Sequence, residues 1–173
     1  MHRLTLGLFL LLAACGPRAT GSDAGFRPST APIFSNAAFD VNKIEGNWSQ
    51  VAAFAAVPET GCRTGQAEFS RAATGIQAQF RLCLSGEVVV GKGAFVVTGP
   101  GRFRVAGKAG LAQDWWVLWV DESYRTMAIG TPSGAFGFIL NRGADLPQDR
   151  LAAAREVFDF NGYDTEKIVV FGK

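Results

Sequence analysis

Three cysteines and one histidine carry most of the reactive chemistry open to this chain of 173 residues. Cys15 closes the stretch Leu12-Ala13-Ala14-Cys15, while Cys62 and Cys83 stand far downstream and far apart. The histidine, His2, belongs to a short cationic start, His2-Arg3. Imidazole is the usual general base near neutral pH and the commonest metal ligand. If residues 1–14 are removed during export, a Ser-His-Asp or Cys-His mechanism goes with them, as does any histidine-held haem or zinc. The nucleophiles then left are a free thiol, Tyr124, Tyr163 or a carboxylate, and nothing in the sequence sets a base beside any of them. The expectation is a protein that is not an enzyme, with no catalytic residue, no bound metal and no cofactor.

The first 14 residues read as an export signal: a cationic start, then an apolar run over 4–12 too short to span a bilayer as a helix. Leu12-Ala13-Ala14-Cys15 resembles the bacterial lipobox, so Cys15 is expected to carry the lipid and to become the first mature residue. Ordinary cleavage after Ala14, with Cys15 incidental, is the alternative. Gly16 follows, and by resemblance to the sorting rule of enteric bacteria a residue other than Asp there favours the outer membrane. Residues 15–38, rich in Gly, Pro, Ser, Thr and Ala, read as the lipidated N-terminus and a flexible tether. Ile33, Phe34 and Phe39 are expected to begin the packing. Residues 39–173 remain for a folded domain.

That length favours one domain. A formal charge of +2 offers no basic field for nucleic acid. From residue 48 the chain breaks into short runs separated by Gly, Pro and Asn turns, the spacing of an all-β barrel or sandwich. Strands are expected over 48–55, 64–71, 76–83, 88–98, 102–107, 115–121, 127–131 and 135–141, with a bulge near Gly91 and Gly93 in the fourth. The third alternates most cleanly: Ile76, Ala78, Phe80 and Leu82 share one face, Gln77, Gln79 and Arg81 the other. The period then changes. Pro147 opens a helix whose Leu151, Ala154, Val157 and Phe158 follow helical spacing, Asn161-Gly162 ends it, and 165–171 reads as a closing strand.

Three stretches resemble the signatures of the lipocalins. Gly46-Asn47-Trp48 matches a Gly-x-Trp at the opening strand. Val120-Asp121-Glu122-Ser123-Tyr124 matches an acidic residue in a turn followed by tyrosine, although Val120 stands where the family often has Thr. Leu140-Asn141-Arg142 matches an arginine just after the eighth strand. The resemblance covers about residues 39–171 and is nearest to the bacterial outer-membrane lipocalin lipoproteins. It implies an eight-stranded antiparallel up-and-down β-barrel with one C-terminal α-helix and a short closing strand. Gly46, Trp48, Asp121, Tyr124 and Arg142 would be structural, with Arg142 lying across the Trp48 ring.

A barrel of this kind can enclose one small ligand. Phe69, Ala78, Phe80, Phe95, Phe103 and Phe138 are the expected ligand-binding wall, with Val97, Phe136 and Leu140 near them, suiting a fatty acid, a lysophospholipid or another hydrophobic molecule. Plain core packing is the alternative for each. Trp115 and Trp116 must face opposite ways, so only one can line the interior. Cys62 and Cys83 would meet at the open end of the barrel and pair in an oxidising compartment; two free thiols are the alternative. The expected partners are a small hydrophobic ligand, a membrane reached through the N-terminal lipid, and a second copy in a homodimer. The function implied is a membrane-anchored binder or carrier of hydrophobic molecules, with the barrel facing the periplasm. A lipocalin-derived enzyme, or a structural envelope lipoprotein with a filled barrel, are the competing functions.

Overall fold

A computed structural model describes residues 25–57, 61–106 and 113–172. The chain forms a closed antiparallel barrel of eight strands: β1 Gly46–Phe54, β2 Gly65–Ala72, β3 Gly75–Leu84, β4 Glu87–Gly99, β5 Arg102–Val105, β6 Trp115–Val120, β7 Thr126–Gly130 and β8 Gly137–Asn141. Each strand pairs with the next. β1 closes the ring, pairing with β2 from Gly46↔Phe69 to Gln50↔Gly65 and with β8 from Ser49↔Asn141 to Ala53↔Phe138. The helix α1, Gln148–Phe160, follows, and a short strand β9, Ile168–Val170, pairs with the far half of β1 outside the barrel.

Two bulges decide which side chains look inward. Between Gln50 and Ala52 the β1 register slips, so Val51 and Ala52 both face outward and Ala53 returns to the interior. Between Val117 and Trp119 the same happens in β6, which turns Leu118 and Trp119 together onto the outer face. Outside, Phe26, Phe54, Phe158 and Tyr163 form an aromatic cluster, with Phe54 at 4.8 Å from Phe158 and 4.9 Å from Tyr163. This cluster fixes α1 to the barrel. Inside, a second core runs from Ile44 and Trp48 at one end to Leu84 and Phe136 at the other.

Several expectations move. No bulge falls at Gly91 or Gly93: the β3–β4 register runs unbroken from Leu84↔Glu87 to Gln77↔Ala94, and the slip lies at Val97/Gly99. Gly93 serves a close approach instead, since a Cβ there would sit 1.4 Å from the Ala106 carbonyl oxygen. The closing strand is cut to Ile168–Val170 by a 3-10 turn over Thr165–Lys167, started by Asp164 accepting from the Glu166 N–H. Pro147 is the N-cap of α1 rather than its first helical residue. Gly162 ends the helix region at φ +77°, a conformation that costs glycine least.

The segment assigned to a tether also changes in part. Phe26 and Arg27 are buried, and residues 25–36 lie along the outside of the barrel. Arg27 Nε donates to the Asn161 carbonyl at 2.9 Å, and its terminal nitrogens reach the Pro132, Ala31 and Pro32 carbonyls. A Gly- and Pro-rich composition hid this, because two of these carbonyls, those of Asn161 and Pro132, lie more than 100 residues away. Cys15 lies outside the described residues.

Candidate functional site

The barrel has a plugged end built by the three signature stretches. Gly46 adopts φ +110°, and a Cβ there would stand 2.8 Å from Arg142 Nη1, so glycine leaves the arginine room. The Arg142 guanidinium lies 4.3 Å from the centre of the Trp48 ring. It also donates to the carbonyls of Tyr124, Glu45 and Lys43 at 2.8, 2.8 and 2.9 Å. Burial against these groups lowers its pKa from the ordinary arginine value. Trp48 Nε1 donates to the Ile44 carbonyl at 2.8 Å, which satisfies its buried N–H. Asp121 accepts from the Arg125 and Thr126 N–H groups, and Tyr124 Oη accepts from the Asp40 N–H at 2.8 Å. Phe39 packs on Tyr124 and, edge to face, on Phe103. All five signature residues therefore gather at one end and hold it shut.

The interior is apolar and crowded with rings. Phe69, Ala78, Phe80, Phe95, Phe103 and Phe138 all face it, each at most 5% exposed. Phe95 stacks on Phe103 at 4.4 Å, and Phe69 meets Phe95 edge to face at 5.1 Å. Trp115 stands 5.3 Å from both Phe80 on β3 and Phe138 on β8. Val97 does not join this wall; it is 56% exposed beside the slip at the end of β4. Trp115 and Trp116 do face opposite ways. Trp115 is inside, and Trp116 is outside under the Arg102 guanidinium at 4.0 Å. Among the described residues, both buried indole N–H groups lack a hydrogen-bond partner.

The opposite end is a rim that includes the β1–β2, β3–β4 and β7–β8 connections. Cys62 and Cys83 form a disulfide with their Cα atoms 5.6 Å apart. The Cys62 N–H donates to the Gly86 carbonyl at 3.1 Å, and Ser85 Oγ donates to the Ala135 carbonyl at 2.7 Å. These bonds join the β1–β2, β3–β4 and β7–β8 connections. A separate groove of about 260 Å³ crosses β1–β4, where Gln66, Glu68, Gln79 and Arg81 stand beside Val90 and Arg142, so its lining mixes polar and apolar groups. Among the described residues, no group of three or more His, Cys, Asp or Glu side chains could hold a metal ion.

Residues 39–172 match the family model described as a lipocalin-like domain. The chain belongs to the lipocalin family. Solved structures agree in fold. The siderocalin Ex-FABP, described as functioning through dual ligand specificities, is 11% identical, with a TM-score of 0.55 over 76% of this chain and 95% of that one. Per a 4, a major allergen from cockroaches, is 10% identical, with a TM-score of 0.62 over 83% of this chain and 94% of that one. At such identities the likeness speaks for the fold alone. No curated protein matches the chain in sequence.

Gln50 had no signal in the sequence, and Tyr163 was named there only as a nucleophile, not for the part it plays in this lipocalin. Gln50 looks into the barrel beside the rim, and its amide bonds the backbone of Cys83. Gly65 opposite makes room, since a Cβ there would lie 2.0 Å from Gln50 Oε1. Tyr163 Oη accepts from the Thr131 N–H at 2.8 Å and donates toward the Thr131 and Phe136 carbonyls. Burial pushes its pKa from 10.0 up to about 12, against the opposing effects of the Thr131 bond and the Arg27 charge. A phenol so held is a hydrogen-bonding strut between the helix side and the rim, and it is poorly suited to act as a base at neutral pH.

Proposed function

We propose that this lipocalin is a lipid-anchored binding protein of the bacterial outer membrane, holding a small hydrophobic molecule inside its barrel on the periplasmic side. The interior carries the reading. Its wall is phenylalanine and aliphatic, and one donor, Trp115 Nε1, is buried there with no partner among the described residues. A buried unpaired N–H costs free energy until an acceptor reaches it. An acyl chain along Phe80, Phe138 and Ala78, with a carboxyl or ester oxygen on Trp115, would satisfy both features, which suits a fatty acid or lysophospholipid. The molecule works by binding rather than by catalysis.

The ring contacts favour a second reading. Trp115 bridges Phe80 and Phe138 across the barrel, so a ligand must shift these rings to enter. If they stay in place, the protein is a structural envelope lipoprotein with a filled barrel. Native mass spectrometry of protein gently extracted from its own membrane separates the two. A retained acyl molecule, one per chain, is expected. A bare mass, unchanged after exposure to a fatty-acid mixture, would turn the account to the filled barrel. The same spectrum reads a homodimer as a doubled mass.

A further inference from the structure

Among the described residues, β9 is the one strand bonded along a single edge. Each of β1 to β8 has a barrel neighbour on both sides, whereas β9 pairs with β1 alone. Its place follows from the late start of β2. β1 pairs with β2 only as far as Gln50↔Gly65. Beyond that point β9 takes the edge that β2 leaves, from Ala52↔Val170 to Phe54↔Ile168, while β8 holds the other edge as far as Ala53. A seam therefore runs down the side of the barrel between β9 and the start of β2. The Gln50 amide crosses it to reach the Cys83 backbone.

Phe171, the residue after β9, sits in this seam. The two faces of β9 serve different cores: Ile168 belongs to the outer cluster beneath α1, and Phe171 packs on the interior core. The Phe171 N–H donates to the Val51 carbonyl at 2.8 Å. Phe171 also lines a cavity of about 190 Å³ shared with Ser49, Gln50, Thr64, Gly65 and Gly172. This half-buried residue thus stands between that cavity and the interior. Phe80, Trp115 and Phe138 are at most 3% exposed, so part of the fold must open before a ligand reaches them. Local opening begins in the elements with the fewest stabilising contacts. β9 has three residues and one bonded edge, and it can leave without breaking the ring of eight.

We propose that Phe171 is the gate of a side entrance: β9 lifts off β1 from its Phe171 end, and a hydrophobic ligand passes from the seam cavity into the interior. The inference rests on the reading above that the interior takes up such a ligand. The chain from 15 to 173, all of the proposed mature protein, is prepared as Cys15→Ser with Cys62 and Cys83 oxidised. Two variants push the gate in opposite directions. Phe171→Ala removes the ring. Ala52→Cys with Val170→Cys locks β9 to β1. The bonds from Phe171 to Val51 and from Ala55 to Lys167 leave Ala52↔Val170 between hydrogen-bonded pairs. There the Cα atoms approach to about 4.5 Å, within reach of a disulfide. Peptide mapping verifies both bridges in the locked protein. Stopped-flow fluorescence with cis-parinaric acid then reads uptake and release. Both are expected to be several-fold faster in Phe171→Ala, with affinity nearly kept, and several-fold slower in the lock. A lock that fills and empties at the natural rate would overturn the gate and leave binding intact, with entry elsewhere on the barrel. Unchanged rates in Phe171→Ala, or weaker affinity without faster uptake, would overturn it too, the latter making Phe171 a wall residue alone. No saturable uptake by the natural protein would overturn the binding reading itself, and the gate with it.

Discussion

Gln50 and Cys83 are joined as neighbouring strands would be, although no strand residue lies between them. The Cys83 N–H donates to Gln50 Oε1 and Gln50 Nε2 donates to the Cys83 carbonyl, both at 2.7 Å. β2 begins at Gly65, too late to pair Cys83, and the side-chain amide takes the place of the missing backbone. Gln50→Leu leaves two buried backbone groups unpaired and is expected to cost about 2–4 kcal/mol. Urea unfolding of the oxidised protein should show this as a lower midpoint at unchanged slope. A loss within error would mean that water replaces the amide.

The disulfide beside it spans a sequence separation of 21 residues. In the chain-entropy model, closing such a loop stabilises by about 3 kcal/mol. The paired substitution Cys62→Ser and Cys83→Ser should lower stability by roughly that amount. A native fold at unchanged stability would show that Gln50 and the Ser85–Ala135 bond hold the rim without the bridge.

Trp48 and Arg142 should couple. A double-mutant cycle with Trp48→Leu and Arg142→Ala is expected to give an interaction of about 0.5–2 kcal/mol, since the guanidinium is stacked and bonded to three carbonyls. Additive losses would mean that Arg142 acts through those carbonyls alone.

Tyr163 predicts a pH dependence on the alkaline side. Its folded pKa, about 12, is above the unfolded value of 10.0, so the folded state holds the proton longer. The contribution is complete below about pH 10 and is lost as pH rises toward 12, up to about 2–3 kcal/mol in all. Tyr163→Phe should flatten that decline and cost about 1–2 kcal/mol at neutral pH by leaving the Thr131 N–H unpaired. Chemical unfolding between pH 8 and 12 measures both. An equally steep decline in the variant would assign the titration elsewhere.

The plug was legible because its signals are local and ordered: Gly46, Trp48, Asp121, Tyr124 and Arg142 each stand at a strand end or turn whose chemistry needs that residue type. The clean alternation of β3 likewise predicted the inward faces of Ala78 and Phe80. β1 and β6 resisted, because one bulge in each shifts the pattern partway along, as at Val51-Ala52 and Leu118-Trp119. Arg27 and Gln50 left no pattern at all. Their bonds to Asn161 and Cys83 cross 134 and 33 residues, a distance over which spacing carries no information. The inward phenylalanines could be named from alternation, but how Trp115 bridges Phe80 and Phe138 depends on three strands at once.

The central claim is that this interior takes up one hydrophobic molecule. The most direct measurement is a stoichiometric titration of delipidated protein with a fluorescent fatty acid, beside the Trp115→Phe variant. The account predicts saturable uptake of one probe per chain, weakened several-fold in the variant through loss of the indole donor while its thermal stability stays near that of the natural protein. No saturable uptake by the folded natural protein would contradict the account and leave a barrel filled by its own side chains.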